Sequence, residues 1–145
     1  MVSLNTDMET SSGAVIFTVT ENKIRYLLIE DNHHNIGFPK GHIEKDETLL
    51  QTAQREILEE VGLHVDFLDG FKEELRYLMP NGIEKRAVYF LATYKDQQFT
   101  PQAGEVENIL LLDYDEALKQ LTFDNIKPLF EKADKIVRSK YERNL

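Results

Sequence analysis

The stretch GHIEKDETLLQTAQREILEEVGL, residues 41–63, decides how the rest of the chain is interpreted. Within residues 48–61 the apolar side chains recur at steps of three and four, which is the period of an amphipathic helix. Asp46 or Glu47 is expected to begin the helix with acid in its first turn, and Gly62 is expected to end it in the left-handed conformation. The stretch therefore predicts an amphipathic helix that follows a polar loop.

Three glutamates crowd the end of this predicted helix. Glu56 and Glu60 are one turn apart on the same side, and Glu59 lies beside them. Like charges at this spacing repel, the helix dipole disfavours anions in the last turns, and Arg55 is the only nearby cation. A solvated acidic face is the ordinary explanation of such a run. The crowding favours instead a hard divalent cation, Mg²⁺ or Mn²⁺, shared with a polyphosphate substrate.

The spacing of the whole stretch resembles the signature of the Nudix hydrolases. Gly41 is followed after five residues by Glu47, and after seven more by REILEEVGL, residues 55–63. Every position that the signature specifies is filled. The resemblance implies an α/β/α sandwich with a central mixed β-sheet, in which residues 41–63 form a loop–helix–loop catalytic box.

Length and composition narrow the class of protein. The chain has 145 residues, a net charge of −9 at pH 7 and no cysteine, which excludes disulfides and cysteine-ligated zinc. We expect a flexible leader at residues 1–12 and a single domain at residues 13–145. No apolar run has the length of a signal peptide or a membrane span, so we expect a cytoplasmic protein without membrane contact. The acidic balance argues against general nucleic-acid binding but leaves small phosphorylated substrates open.

Strands are expected on both sides of the central helix. Runs of β-branched and aromatic residues predict them at residues 12–19, 24–30, 64–69, 70–79, 85–94 and 108–113. Residues 31–37 read as a polar loop, Gly70 as a bend or bulge, and residues 80–82 as a turn. A short helix is predicted at residues 115–121 and a last helix from Phe123-Asp124 onward. This order favours a mixed sheet between layers of helices.

The resemblance assigns metal-binding and catalytic roles within the box. Glu56 and Glu60 are the expected divalent-metal ligands, together with the backbone carbonyl of Gly41. Glu59 is a third carboxylate, either a ligand or the group that orients the attacking water. Two or more Mg²⁺ ions would neutralise phosphate charge and lower the pKa of water.

Other charged residues have roles that are structural or that lie outside the box. Glu47 and Arg55 are expected to form an ion pair that braces the loop against the helix. A loop glutamate beyond the box serves as general base in many family members. This chain offers Glu105 and Glu107, and we favour Glu105 from its distance to the following strand and helix.

The run Pro39-Lys40-Gly41-His42 narrows the resemblance to the asymmetrical diadenosine tetraphosphate hydrolases. Beyond the box, this likeness extends to the residues at 70–77, 85, 89–92 and 123. The chain departs from that group in three respects: Phe38 stands before the run, the sequence contains no tryptophan, and no histidine follows Glu105.

These matching residues suit a cleft for a polyphosphate and a base. Lys40 and Lys85 are expected to neutralise phosphates that the metals do not reach, and Lys40 is counted with the catalytic residues. Tyr77 and Phe123 are expected to hold an adenine between two rings, although Phe123 is equally suited to anchoring its helix in the core. Two histidines either bind phosphate or cap a loop: His42 and His34.

The leading prediction is divalent-metal-dependent hydrolysis of diadenosine tetraphosphate to ATP and AMP, with water attacking the phosphorus four positions from the bound adenosine. A nucleoside triphosphate pyrophosphatase or an RNA 5′-pyrophosphohydrolase uses the same box and stays open. A non-catalytic Nudix domain that senses a nucleotide is a further alternative. The predicted partner is a small dinucleoside polyphosphate or nucleotide, and the protein is expected to be a monomer or a homodimer.

Overall fold

A mixed β-sheet forms the centre of the molecule. The computed structural model of the chain describes residues 8–141, and within them seven strands make one sheet. The strands are β1 (Met8–Thr20), β2 (Lys23–Asp31), β3 (Ile36–Gly37), β4 (Lys40–His42), β5 (Asp66–Leu78), β6 (Glu84–Thr93) and β7 (Val106–Leu112). Their order is β3-β2-β1-β6-β5, with β4 also paired to β1 and β7 to β2. β1 and β6 run parallel and the other pairs antiparallel, which makes the sheet mixed.

Helices cover both faces of this sheet. They are α1 (Leu49–Val61), α2 (Tyr114–Gln120) and α3 (Lys127–Tyr141), with a 3₁₀ turn at Asp124–Ile126 leading into α3. On one face Ile57 and Val61 of α1 belong to a buried cluster with Ile16 of β1. On the other face Phe130 of α3 is buried with Phe17 of β1. The predicted α/β/α sandwich is therefore confirmed.

The burial pattern of β1 explains why helices cover both faces of the sheet. Its residues 14–17 alternate between the two buried clusters, and all four are fully buried. Each large apolar side chain removed from water in this way contributes roughly 1.5–3 kcal/mol. A central strand that is apolar on both faces requires a helix layer on each side.

Two predicted boundaries at the start of the chain are wrong. Residues 8–12, assigned to a flexible leader, form the first part of β1, because they pair with β6 and, at Ser11 and Ser12, with β4. The rest of the predicted leader, residues 1–7, lies outside the described residues. Within the predicted loop at residues 31–37, Ile36–Gly37 pairs with β2 as the short strand β3.

The ends of α1 show one wrong and one correct prediction. The N-cap is Thr48, whose side chain accepts a hydrogen bond from the Gln51 amide, so neither predicted acid begins the helix and its first turn contains no acid. Asp46 lies outside the helix with a positive φ of 66°. At the other end Gly62 adopts φ 74°, and its amide donates to the Leu58 carbonyl as a left-handed cap.

The remaining predicted elements are found with small shifts. The register of β5 against β6 slips between Phe67 and Lys72, which confirms the bulge expected at Gly70. Gly82, with φ 88°, closes the predicted turn before β6. The last helix is preceded by the 3₁₀ turn and places Pro128 in its first turn, where a missing amide costs little. No helix within residues 8–141 is long and apolar enough to cross a membrane.

Candidate active site

The end of α1 buries an unmatched carboxylate. Glu60 is only 8% exposed, and its Oε1 has no hydrogen-bond partner within the described residues. Burial, with the negative charge of Glu56 as the second cause, raises the pKa of Glu60 to about 8. Lys40 opposes this shift without cancelling it. A buried carboxylate with an unpaired oxygen is costly unless a cation reaches it.

The backbone of β4 lies directly against the carboxylate of Glu56. Gly41 lies so near Glu56 that a Cβ on Gly41 would overlap the carboxylate carbon and both of its oxygens. β4 is held there by its antiparallel pairing with β1, in which Gly41 is opposite Ser12. Only glycine allows the main chain to approach the acid pair this closely.

Arg55 organises the other acids around the box helix. Its Nε lies 2.7 Å from Glu47 Oε2, and its guanidinium also donates to the His42 carbonyl at 3.0 Å. The charged hydrogen bonds to Arg55 lower the pKa of Glu47 to about 2. The pair joins the loop before α1 to the helix, which is the geometry expected from the sequence.

The three box glutamates do not converge in this structure. Arg55 NH1 binds Glu56 Oε2 at 2.8 Å and Glu59 Oε1 at 3.1 Å, and Glu59 is 48% exposed. Among residues 8–141 no group of three His, Cys, Asp or Glu side chains is arranged to hold a metal. The structure therefore brings Glu60 and Gly41 to Glu56, while Arg55 pairs with both Glu56 and Glu59.

The oxygen atoms of Glu56, Glu60 and Gly41 nevertheless suit a divalent ion. The orphan Oε1 of Glu60, the close backbone at Gly41 and the carboxylate of Glu56 are all hard oxygen donors. Mg²⁺ and Mn²⁺ prefer such ligands. The residues present thus fit the cation that the sequence predicts.

A cavity of about 700 Å³ is lined by Glu60 at the end of α1 and by residues of β2, β5 and β6. Six of the residues predicted from sequence line it: Lys40, Glu60, Tyr77, Lys85, Glu105 and Phe123. The remaining predicted ligands are absent from its lining. His34 pairs with Glu30 on the surface, and His42 faces Glu9. Neither histidine lines the cavity, and neither do the other predicted metal ligands Gly41, Glu56 and Glu59.

Two lysines lie close together on one wall of the cavity. Burial and the positive charge of Lys85 lower the pKa of Lys40, while Glu60, Asp31 and Glu56 oppose that shift. Lys85 is partly exposed and pairs with Glu9 at 3.7 Å. Two ammonium groups directed at one space favour an anionic ligand.

Two aromatic residues, Tyr77 and Phe123, also line the cavity. Tyr77 is opposite Lys85 in the pairing of β5 with β6, and burial raises the pKa of its hydroxyl. Phe123 is 58% exposed and immediately precedes the 3₁₀ turn. This exposure is incompatible with the alternative in which Phe123 anchors the core. Ile126, Leu129 and Phe130 supply that anchor instead.

The loop that contains Glu105 is tied to the end of α1. The amides of Thr100 and Gln102 donate to the carbonyls of Val61 and Glu60 at 2.7 and 3.0 Å. Asn32 Nδ2 donates to the Gly104 carbonyl at 3.3 Å from the opposite side. These bonds place Glu105 on the lining of the same cavity as Glu60.

Several lining residues were missed from the sequence. Asp31 accepts the amides of His33 and Asn35 at 2.8 and 3.0 Å, and so shapes the turn after β2. The further missed residues are Asn32, Asn35, Tyr89, Asp124 and Asn125. Asp31 at the end of a buried strand was a usable signal. Tyr89 was not, because it reads as an ordinary core residue.

Comparison with known proteins agrees with this architecture. A model of the NUDIX domain matches residues 10–133. The asymmetrical bis(5′-nucleosyl)-tetraphosphatase of Sus scrofa is 31% identical over 139 residues, which cover 88% of this chain and 94% of that protein. An RNA pyrophosphohydrolase of Psychrobacter cryohalolentis is 34% identical over 103 residues, covering 68% of this chain and 54% of the relative.

Among solved structures, a C. elegans Ap4A hydrolase binary complex superposes with a TM-score of 0.84. Its sequence is 23% identical, and the match covers 90% of this chain and 98% of that one, which supports the fold. The NUDIX match spans most of the chain, and the tetraphosphatase match spans nearly all of that relative. The chain therefore belongs to the Nudix hydrolase family.

Proposed function

We propose that this Nudix hydrolase cleaves diadenosine tetraphosphate to ATP and AMP in a reaction that depends on a divalent metal. The observation that carries the proposal is the single cavity whose wall combines a buried box glutamate, two lysines and two aromatic rings. Such a wall offers separate places for a metal, for a phosphate chain and for a base. The full-length similarity to asymmetrical tetraphosphatases supports the same substrate.

Glu56 and Glu60 would hold the divalent ion, Mg²⁺ or Mn²⁺, with the Gly41 carbonyl as a further ligand. Glu59 would join them once it leaves Arg55. The ion supplies charge neutralisation on the phosphates and lowers the pKa of water, so that hydroxide is available near neutral pH. With a cation bound, the burial and the Glu56 charge that raise the pKa of Glu60 would be offset by an opposite charge, which would favour the ionised carboxylate.

The lysines bind the part of the phosphate chain beyond the metal. Lys40 is largely buried, so its ammonium interacts strongly with an anion in the cavity. Lys85 stands at the rim and reaches phosphates farther along the chain. Tyr77 and Phe123 hold one adenine, with about 1–3 kcal/mol for each ring that stacks on the base.

Glu105 acts as the general base in this proposal. Glu105 lines the cavity on a loop that is hydrogen-bonded to the Glu60 carbonyl through Gln102, which supports a role beside the metal ligands. A positioned base contributes typically 10²–10⁴-fold to the rate. Replacing Glu105 by Gln should therefore lower kcat within that range and leave KM nearly unchanged.

The decisive test is product analysis. The protein is incubated with diadenosine tetraphosphate and saturating Mg²⁺, and the nucleotides are resolved by ion-exchange chromatography. ATP and AMP in equal amounts are expected, whereas two ADP or no cleavage would contradict the proposal. A parallel panel of dNTPs and triphosphorylated RNA measures the two competing activities under the same conditions.

A further inference from the structure

Glu9 lies beside the cavity in a position that the catalytic box does not explain. It is on β1, directly opposite Lys85 in the parallel pairing with β6. Glu9 Oε1 lies 3.7 Å from Lys85 Nζ and 3.6 Å from His42 Nε2. β4 and β6 flank β1 on opposite sides, so one carboxylate oxygen is placed between nitrogens that two different strands supply.

The contacts of Glu9 are easily replaced. Both distances exceed those of a directed N–H···O hydrogen bond. The side chain is 41% exposed, and exposed ion pairs contribute little to stability. Glu9 is therefore able to leave Lys85 without loss of the fold.

Lys85 connects Glu9 to the cavity. Lys85 is one of the residues that line the cavity, whereas Glu9 and His42 are not among them. On the inner side Lys85 is near enough to Lys40 to lower the pKa of that residue. Lys85 thus has a cation on its inner side and an anion on its outer side, and a phosphate that binds it competes with Glu9.

We propose that Glu9 is a specificity-determining residue, whose carboxylate occupies the position of a phosphate oxygen between Lys85 and His42 until a polyphosphate displaces it. The inference rests on the proposed function for the identity of the substrate, but it requires only a chain of phosphates that reaches Lys85. Glu9 then weakens the binding of every such chain. Ligands too short to reach Lys85 are unaffected.

Binding of inorganic tripolyphosphate measures this competition directly. Isothermal titration calorimetry on the whole chain, without divalent metal, compares the wild type with Glu9→Gln. Because one surface charge pair is removed, the dissociation constant is expected to fall about three- to five-fold in the variant. Glu131→Gln is the matched control, since Glu131 forms a similar exposed pair with Lys135 at 3.9 Å on α3. Its affinity is expected to equal that of the wild type.

A double variant tests whether Lys85 transmits the effect. Lys85→Met weakens tripolyphosphate binding, and adding Glu9→Gln to it is expected to cause no further change. An unchanged or weaker affinity of Glu9→Gln alone would overturn the inference. So would an equal gain in the Lys85→Met background, because Glu9 would then act only through the general field of the surface.

Kinetics separate this inference from the proposed function. With diadenosine tetraphosphate, Glu9→Gln is expected to lower KM by the same factor and leave kcat unchanged, as for a change in uniform binding. If the dinucleotide is not cleaved but the tripolyphosphate affinity rises as stated, the proposed function fails and the role of Glu9 stands. If cleavage occurs without that rise, the reverse holds.

Discussion

The two ends of helix α1 hold glutamates in opposite electrostatic states. At the entry, Glu47 accepts charged hydrogen bonds from Arg55 and its pKa is lowered to about 2. At the exit, Glu60 is buried next to Glu56 with an oxygen that no described residue binds, and its pKa is raised to about 8. One residue type thus serves a structural role where a cation is built in and a functional role where the cation must come from solution.

The largest effect on activity is expected from removing the charge of Glu60, at the C-terminal end of α1. Glu60→Gln should lower the rate of diadenosine tetraphosphate hydrolysis roughly 10²–10³-fold, as for other losses of charge stabilisation in a reaction. The melting temperature of the metal-free protein at pH 8 should not fall, because the variant removes a buried charge. Initial rates measure the loss of activity, and thermal unfolding measures the melting temperature. Activity equal to the wild type would contradict the role of Glu60.

The next largest effect on activity is expected from adding one methyl group at Gly41, beside Glu56. In Gly41→Ala the new Cβ overlaps the Glu56 carboxylate, so the acid pair must move and activity should fall by about 10²-fold. Gly82→Ala is the control, because a Cβ there meets nothing within 4 Å and its strain at φ 88° falls on a turn residue that does not line the cavity. Comparable losses in both variants would show that the approach of Gly41 to Glu56 is irrelevant to the reaction.

The two aromatic residues of the cavity, Tyr77 and Phe123, are expected to affect substrate binding alone. Tyr77→Leu is expected to raise KM for diadenosine tetraphosphate about tenfold with little change in kcat, since one base-stacking contact is lost. Phe123→Leu should show a smaller rise because its ring is largely exposed. Steady-state kinetics with Phe99→Leu as a control outside the cavity measure the difference. A loss in kcat instead of KM would refute base stacking as their role.

The smallest effect is expected at Glu47, which pairs with Arg55 at the N-terminal end of α1. Glu47→Gln should lower the melting temperature at pH 7 by about 2–4 °C, since a charged pair is lost. The pKa of Glu47 is depressed in the folded protein, so its contribution is present above the ordinary carboxylate pKa and is lost as the pH falls toward 2. Melting curves of both proteins should therefore converge on acidification. A constant difference down to pH 2 would contradict the ion pair.

The fold was predictable because its signals are local and periodic. The apolar positions of α1, its Gly62 cap and the β-branched strands each specify an element without reference to the rest of the chain. The errors occurred where tertiary contacts override local composition. Residues 8–12 look like a polar leader, yet neighbouring strands on both sides draw them into β1. Similarly, β3 exists only because β2 is beside it.

The candidate site was predictable to the extent that its residues lie in the box or match the family. Six predicted residues line one cavity. The orientation of Glu59 toward Arg55 was not predictable, since sequence spacing fixes which helix face a side chain occupies but not its partner. Glu9 was missed for a related reason. It is 76 residues from Lys85 in the sequence, and only the β1–β6 register brings the two together.

Thermal unfolding between pH 5 and pH 8, with and without magnesium, tests the central claim that the exit of α1 awaits a divalent cation. The folded pKa of Glu60 is raised to about 8, so the metal-free protein should lose stability progressively as the pH rises from 5 toward 8, and saturating Mg²⁺ should remove that loss. Glu60→Gln should show neither the loss nor the magnesium effect. A flat metal-free profile, or equal stabilisation of both proteins by magnesium, would contradict the account.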